Sequence, residues 1–547
     1  MVLTHLDREL FSPTRGSFDR TYWAWGAIDV SNADAQRFLL PLSFLYACDA
    51  PGNPYAGSEA VRQWVDDALR FACREQYANG AFTQWYPNDT SVITAGLLLH
   101  DTALAFQLIG ARLGGQTRAA VLAMLRRSAV FLLRHEERHG FNSNHQLSNA
   151  AGLLDAHALT GEAVFQRRAL AILERVLHRQ FPSGALCEYE GADPGYQTWG
   201  LAFLAACAAR HPAPWLRERL AQALEFSSHF LSPVTGSGGC FGSRGTKHLL
   251  PSGFEVAARL GVGPDLRATV RSLICQDLGI TNRTADLHNL VAVLSDYVHA
   301  SLAARAAGPP PEAAAHAHAA DFFCPGSTLF CAQRGAYGIR GRGNGGMVQV
   351  EDLDAGRVRF ASAGYVVRTA QGVGFTGVLN GACARDGATI TFRALAQRPN
   401  RMRQRPALFL LLRLYQLALG WCLPANLALK WVLAQRLIFR RQPLPVRLTR
   451  TLTLSDAALI VEDALENLAR RPATVRPCRE GYISFMGSAR YFDASQLEGG
   501  WPGVAVTLQA GPDAPPQAAD QGGEWVVPAR GRLRVRYAVP FTGAIAC

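Results

Sequence analysis

FNSNHQLSNAAGLLDAHALTGEAVFQRRALAILERVLHRQFPSGALCEYEGADPGYQTWG, residues 141–200, decides the architecture of the first half of the chain. Leu147, Ala150, Ala151, Leu154, His157 and Ala158 recur at helical spacing, starting just after the Asn144–His145 pair. A second run with the same period covers 163–180. A loop broken by Gly and Pro follows, carrying Glu188, Glu190 and Asp193, and a third helical run starts at Tyr196. The same alternation extends in both directions. Apolar helical runs fall at 33–48, 57–75, 90–113 and 117–134 before this stretch, and at 213–230, 250–260, 264–277 and 284–305 after it. The breaks are turn formers such as PGNP, YANG, LGG and HPAP. About eleven helices in antiparallel pairs, with no strand-like alternation among them, predict an α/α toroid, an incomplete barrel of helix pairs. Its long loops recur on alternate connections, which gathers them at one end and builds a cleft there.

The texture changes after ARAAGPPPEAAAHAHAA (304–320), a Pro- and Ala-rich linker. STLFCAQRG, RVRFASAGYVVRTA, VRLTRTLTLSD, AALIVEDALEN, YISFMG and RLRVRYAVPF are short, β-branched and punctuated by Gly. They predict an antiparallel β-sandwich. The fold class is therefore α+β multidomain: a toroid over 1–305, a linker over 306–320 and a β-sandwich over 321–547. GRGNGG (341–346) lies between strands and reads as a hairpin turn. One helical insertion, 401–445, interrupts the sheet. Its two apolar runs, 407–423 and 425–439, are flanked by arginines such as Arg401, Arg405, Arg436 and Arg440. Such a hairpin makes a peripheral membrane contact or packs on the toroid.

The net charge is +12 over 547 residues, spread without a dense basic block, so an acidic partner is expected and nucleic acid is not. The twelve cysteines form no CxxC pair, and Cys48, Cys73 and Cys207 lie in apolar helical runs. Buried thiols in a reducing compartment fit this better than disulfides or a zinc site. MVLTHLDRELFSPTRG has no apolar signal core, so a cytoplasmic location is expected, peripheral to the inner membrane. No metal cluster, dinucleotide fingerprint, P-loop or GxSxG is present in the sequence, and no cofactor is expected.

Asn144, His145 and Tyr196 are the residue types that β-elimination of a uronate glycan requires. A polar donor must neutralise the C6 carboxylate so that the C5 proton can leave. A base takes that proton, and an acid protonates the leaving oxygen. The NxNH sequence followed by EYxGxDPGY, with Asn144 and Tyr196 separated by 52 positions, resembles the heparinase II/III-like polysaccharide lyases. The resemblance implies a toroid with a sheet domain and an acidic polysaccharide or oligosaccharide as partner. It implies Asn144 as carboxylate neutraliser, His145 as its neighbour and Tyr196 as the catalytic acid and base. It also implies a second histidine early in the sheet domain, yet no His occurs after residue 320. His248, in FGSRGTKHLLPSGFE, is the replacement candidate, with Arg244 beside it as a carboxylate clamp. Glu188, Tyr189, Asn88 and Trp199 complete the expected substrate-binding set.

Other readings stand beside this one. Asn144 also suits a helix N-cap, and Asn88 or Asp89 in YPNDTS caps the helix that follows. Two of Glu188, Glu190 and Asp193, with Asp89 and Asp101 in reserve, make the carboxylate pair of a glycoside hydrolase. A uronate C5-epimerase and a non-catalytic glycan-binding protein use the same scaffold.

Overall fold

The structure is a computed structural model that describes residues 1–137, 140–189, 191–310, 321–377, 381–400, 405–437, 439–481, 503–510 and 514–541. Its first half is a double ring of helices. The inner ring consists of Leu39–Ala47, Val92–Ile109, Ser143–Thr160, Pro194–Arg210, Ser252–Leu260 and Leu287–Ala307, each packed on the next. Leu287–Ala307 packs back on Leu39–Ala47 and the turn Ala33–Phe38, bringing the two ends of the barrel into contact. The outer partners are Glu59–Glu75, Gly115–Arg134, Ala163–His178, Pro214–Phe230 and Arg267–Cys275. Inner helices are apolar nearly all round: Val92–Ile109 and Pro194–Arg210 bury most of their residues. Outer helices such as Glu59–Glu75 bury one stripe, Val61, Val65, Ala68 and Leu69, and turn charge to solvent. All of them share one hydrophobic core.

The inner ring also buries a polar network. Arg37 Nε donates to Asp101 Oδ2 at 2.6 Å, and His299 Nε2 lies 3.1 Å from Asp101 Oδ1. His100 Nδ1 meets Asp155 Oδ2 at 2.6 Å, and the His100 and His299 rings stack at 4.6 Å. These bonds join the turn Ala33–Phe38 to the second, third and last inner helices. Asp101 is thereby a ring-closing ion-pair partner and no spare carboxylate.

The second half holds two antiparallel sheets. The smaller one has five strands in chain order, Phe322–Phe323, Leu329–Arg334, Tyr337–Arg342, Met347–Asp352 and Arg357–Ser362. The larger has eleven strands among the described residues, with Thr389–Gln397, Pro443–Leu454, Ala458–Asn467 and Arg532–Pro540 side by side as its long members. Period-two burial along Pro443–Leu454 and Ala458–Asn467 puts one face of each on the sandwich core. The GRGNGG stretch forms the connection between two paired strands, with a short 3-10 turn at Gly343–Gly345. YISFMG and residues 311–320 of the 306–320 linker lie outside the described residues. The insertion forms two helices, Pro406–Leu419 and Leu423–Leu437.

The two halves are clamped by buried charge. Glu351 pairs with Arg340 inside the small sheet and accepts hydrogen bonds from Ser232 Oγ (2.7 Å) and Thr235 Oγ1 (2.6 Å) of a toroid loop. Arg342 Nη1 donates to the Gly242 carbonyl of another. Within the large sheet Arg450 is fully buried. Its Nε and Nη2 donate to the two Asp463 oxygens at 2.7 and 2.6 Å, and Tyr365 OH donates to Asp463 Oδ2 at 2.6 Å. Asp463→Asn leaves the Arg450 charge unpaired in the interior, and a loss of about 3–5 kcal/mol in unfolding free energy is expected. Urea denaturation measures this, and the double variant Arg450→Met, Asp463→Leu is expected to recover most of it.

Candidate active site

The EYxGxDPGY stretch folds around one carboxylate. Asp193 caps Pro194–Arg210, its Oδ1 accepting the Tyr196 N–H at 2.8 Å, with Pro194 at the first helical position. The same carboxylate accepts the Arg244 N–H (Oδ2, 2.9 Å) and the Thr246 hydroxyl (Oδ1, 3.0 Å). The 239–248 loop is thus bound to the helix mouth. Close approach demands glycine there: a Cβ on Gly242 would lie 2.1 Å from Asp193 Oδ2, and one on Gly195 would lie 2.2 Å from the Thr246 carbonyl.

This anchoring lays Arg244 across Tyr196, with its guanidinium carbon 3.6 Å from the ring centroid and 4.9 Å from that of Tyr189. Arg244 Nη1 reaches Glu188 Oε2 at 3.3 Å. Glu188 Oε1 accepts the Asn144 backbone N–H (2.9 Å) and its side-chain amide (2.8 Å). A carboxylate at the N-terminus of Ser143–Thr160 is favoured by the helix dipole. Even so, burial pushes the Glu188 carboxyl above its ordinary range, against Arg244 and the Asn144 donors. His248 packs edge-on against Tyr196 (5.3 Å) and Trp199 (5.5 Å). Burial, reinforced by the Arg244 charge, drives its pKa down to about 3, so the ring is neutral at working pH.

Asn144, Glu188, Tyr189, Tyr196, Trp199, Arg244 and His248 therefore form one contiguous, largely buried cluster. His145 stands at its edge, Nδ1 2.6 Å from Glu137 Oε2. Three buried nitrogens of the cluster, His248 Nδ1, Trp199 Nε1 and Arg244 Nε, have no hydrogen-bond partner among the described residues. Such atoms cost about 1–3 kcal/mol each unless something binds them. Two surface cavities, of about 570 Å³ beside Phe323 and Arg385 and about 430 Å³ beside Tyr46 and Arg112, share no lining residue with the cluster.

Three sequence expectations are corrected. Asn144 is no N-cap: Asn142 holds that position, and Asn144 lies in the first turn, where Glu188 takes its N–H. Ser91, not Asn88 or Asp89, caps Val92–Ile109, its hydroxyl accepting the Thr94 N–H. Asn88 is outside the cluster's contact network: its N–H donates to Tyr77 OH and its carbonyl accepts from Asn426. Asp89 pairs with Lys430 at 2.5 Å. Glu190 lies outside the described residues. Sequence reasoning missed Glu137, Asn142 and Arg342. No spacing signal marks Arg342, because only the packing of sheet on toroid brings it to Gly242 and near Asp193.

An α/α toroid with an antiparallel sandwich is the fold of the heparinase-like polysaccharide lyases, and this chain has it. The chain superimposes on chondroitin AC lyase from Streptomyces coelicolor A3, solved with chondroitin sulphate, with a TM-score of 0.53 and 12% identity over 93% of this chain and 74% of the lyase. A Paenibacillus xanthan lyase matches with a TM-score of 0.54 and 9% identity over 99% of this chain, which spans only 56% of that lyase. Heparinase III gives 0.51 and 10% identity over 95% and 80% of the two chains. No family model matches the sequence, and no curated protein does. The likeness is one of fold: these neighbours are lyases, and at such identity the chemistry of this chain rests on its own residues.

The neutral state of His248 has a stability signature. Below pH 6.5 the unfolded chain takes up a proton there that the folded chain refuses down to about pH 3, so stability falls as pH falls through that window. The wild type is expected to lose about 2 kcal/mol more than His248→Gln between pH 7 and pH 5. Equilibrium denaturation of both proteins at the two pH values checks this.

Proposed function

We propose that this protein cleaves an acidic, uronate-containing polysaccharide by β-elimination. The observation that carries the reading is the Arg244 guanidinium stacked 3.6 Å over the Tyr196 ring, beside buried nitrogens of His248 and Trp199 that have no partner. In this reading Arg244 and Asn144 receive the substrate carboxylate and stabilise the enolate-like charge that follows loss of the C5 proton. The two donors already converge on one carboxylate, that of Glu188. Burial makes Glu188 ready to accept a proton when a second carboxylate comes close. Tyr196 delivers a proton to the leaving oxygen, and Tyr196 or neutral His248 takes the C5 proton. His145, held by Glu137, borders the sugar path. Asp193 serves as a cap with three donors on it, which leaves it poorly suited to the second carboxylate role of a hydrolase.

The proposal includes a cytoplasmic setting and a role in polysaccharide production. All eleven described cysteines are free thiols, which fits a reducing compartment.

Incubation with a panel of acidic polysaccharides, followed in the ultraviolet band of unsaturated uronates, tests the chemistry. A rise with one substrate is expected, and Tyr196→Phe is expected to lower its rate by about 10²–10⁴-fold while substrate binding persists. Turnover that survives Tyr196→Phe but is lost in Glu188→Gln would transfer the assignment to hydrolysis.

A further inference from the structure

The hairpin Pro406–Leu419 and Leu423–Leu437 is amphipathic in the reverse of the usual sense. The positions it buries against the protein are largely polar. Gln416 and Asn426 are fully buried, and the Asn426 amide donates to the carbonyls of Asn88 and Gly420. Lys430 pairs with Asp89, and Arg413 with Asp29 at 2.6 Å. The outward positions are apolar: Leu410, Leu411, Leu414, Leu417, Trp421 and Trp431 are all more than half exposed, with Trp421 at 75%. Large apolar side chains left in water side by side on one hairpin mark a surface that something covers.

Charge identifies what covers it. Between 401 and 441 the sequence holds eight basic residues and no acidic one. A second copy docked through this face by a twofold axis would set like charge against like. An anionic lipid surface accepts both features at once, the basic rim at the phosphates and the Leu and Trp side chains below them. The helices have 14 and 15 residues, about 21–23 Å of length, too short to cross a hydrocarbon core of about 30 Å. They lie in the interface, with Trp421 at the bend between them.

We infer that the helices Pro406–Leu419 and Leu423–Leu437, with Arg405 and Arg440 beside them, form a docking surface for anionic membranes. The contacts of the hairpin place the membrane relative to the candidate site. Phe439, just past the second helix, packs edge-on against Tyr189 at 5.9 Å, and Tyr189 lies under Arg244. The docked face therefore borders the same rim, and a glycan carried on a lipid at that surface has the shortest path to it.

Flotation of the full-length protein with vesicles tests the inference and reads binding alone, so it stands apart from the chemistry assigned to Tyr196. The protein is expected to float with phosphatidylcholine vesicles containing phosphatidylglycerol, to stay behind with phosphatidylcholine alone, and to be released by high salt. Leu410→Ser, Leu414→Ser and Leu417→Ser together, all at exposed positions, are expected to lower the partition coefficient at least about tenfold with an unchanged circular dichroism spectrum. Arg405→Glu with Arg440→Glu is expected to abolish the preference for anionic vesicles. Failure of the wild type to float, or flotation unaffected by the triple serine variant, overturns the inference. So does a stable dimer in sedimentation velocity that the triple variant dissociates, since the occupant is then a second copy.

Discussion

A single buried carboxylate, Asp193, fixes the relation between the parts of the candidate site. It ends the loop that carries Glu188, starts the helix that carries Tyr196, and binds the backbone of Arg244 and the side chain of Thr246. Three donors converge on it, yet burial still pushes its carboxyl above the ordinary range. Its place in the interior is therefore sustained by geometry: helix, loop and carboxylate are each positioned by the others. The stacking of Arg244 on Tyr196 and the edge contact of His248 follow from that arrangement, because both residues sit on the loop that Asp193 holds.

The helical half was legible because its signal is long and periodic. The runs at 57–75, 163–180 and 213–230 match Glu59–Glu75, Ala163–His178 and Pro214–Phe230 to within about two residues. Contact between the two ends of the barrel was not legible, since it depends on Arg37, Asp101 and His299 meeting across nearly the whole length of the domain. At the site, EYxGxDPGY announced a cap followed by a tyrosine. The partners that give the tyrosine its surroundings come from 50 or so positions away and carry no local pattern. Cap positions were misread by two or three residues at Asn144 and at Asn88, because adjacent Asn, Ser and Asp side chains satisfy the same chemistry and only the backbone turn selects among them.

The hairpin shows a different limit. Its composition foretold an apolar, basic pair of helices, but not which face turns outward. That was decided by polar residues on the toroid rim, Asn88 and Asp89, which offer a carbonyl and a carboxylate to Asn426 and Lys430. Those rim loops are conformationally costly as well. Asn88, Thr90 and Tyr189 all have positive φ, at 60°, 41° and 50°. Non-glycine residues hold such angles only where the surroundings impose them. The strained backbone thus lies under the hairpin and beside Arg244.

The sheet half contains no histidine, and what it extends toward the site is Arg342. Burial brings that guanidinium down to about 10, which still leaves it charged near neutrality. The toroid, by contrast, holds all fourteen histidines of the chain, if the linker is counted with it. The two halves thus divide the electrical work. One extends a guanidinium that stays charged near neutrality, and the other holds the imidazole of His248 without its charge.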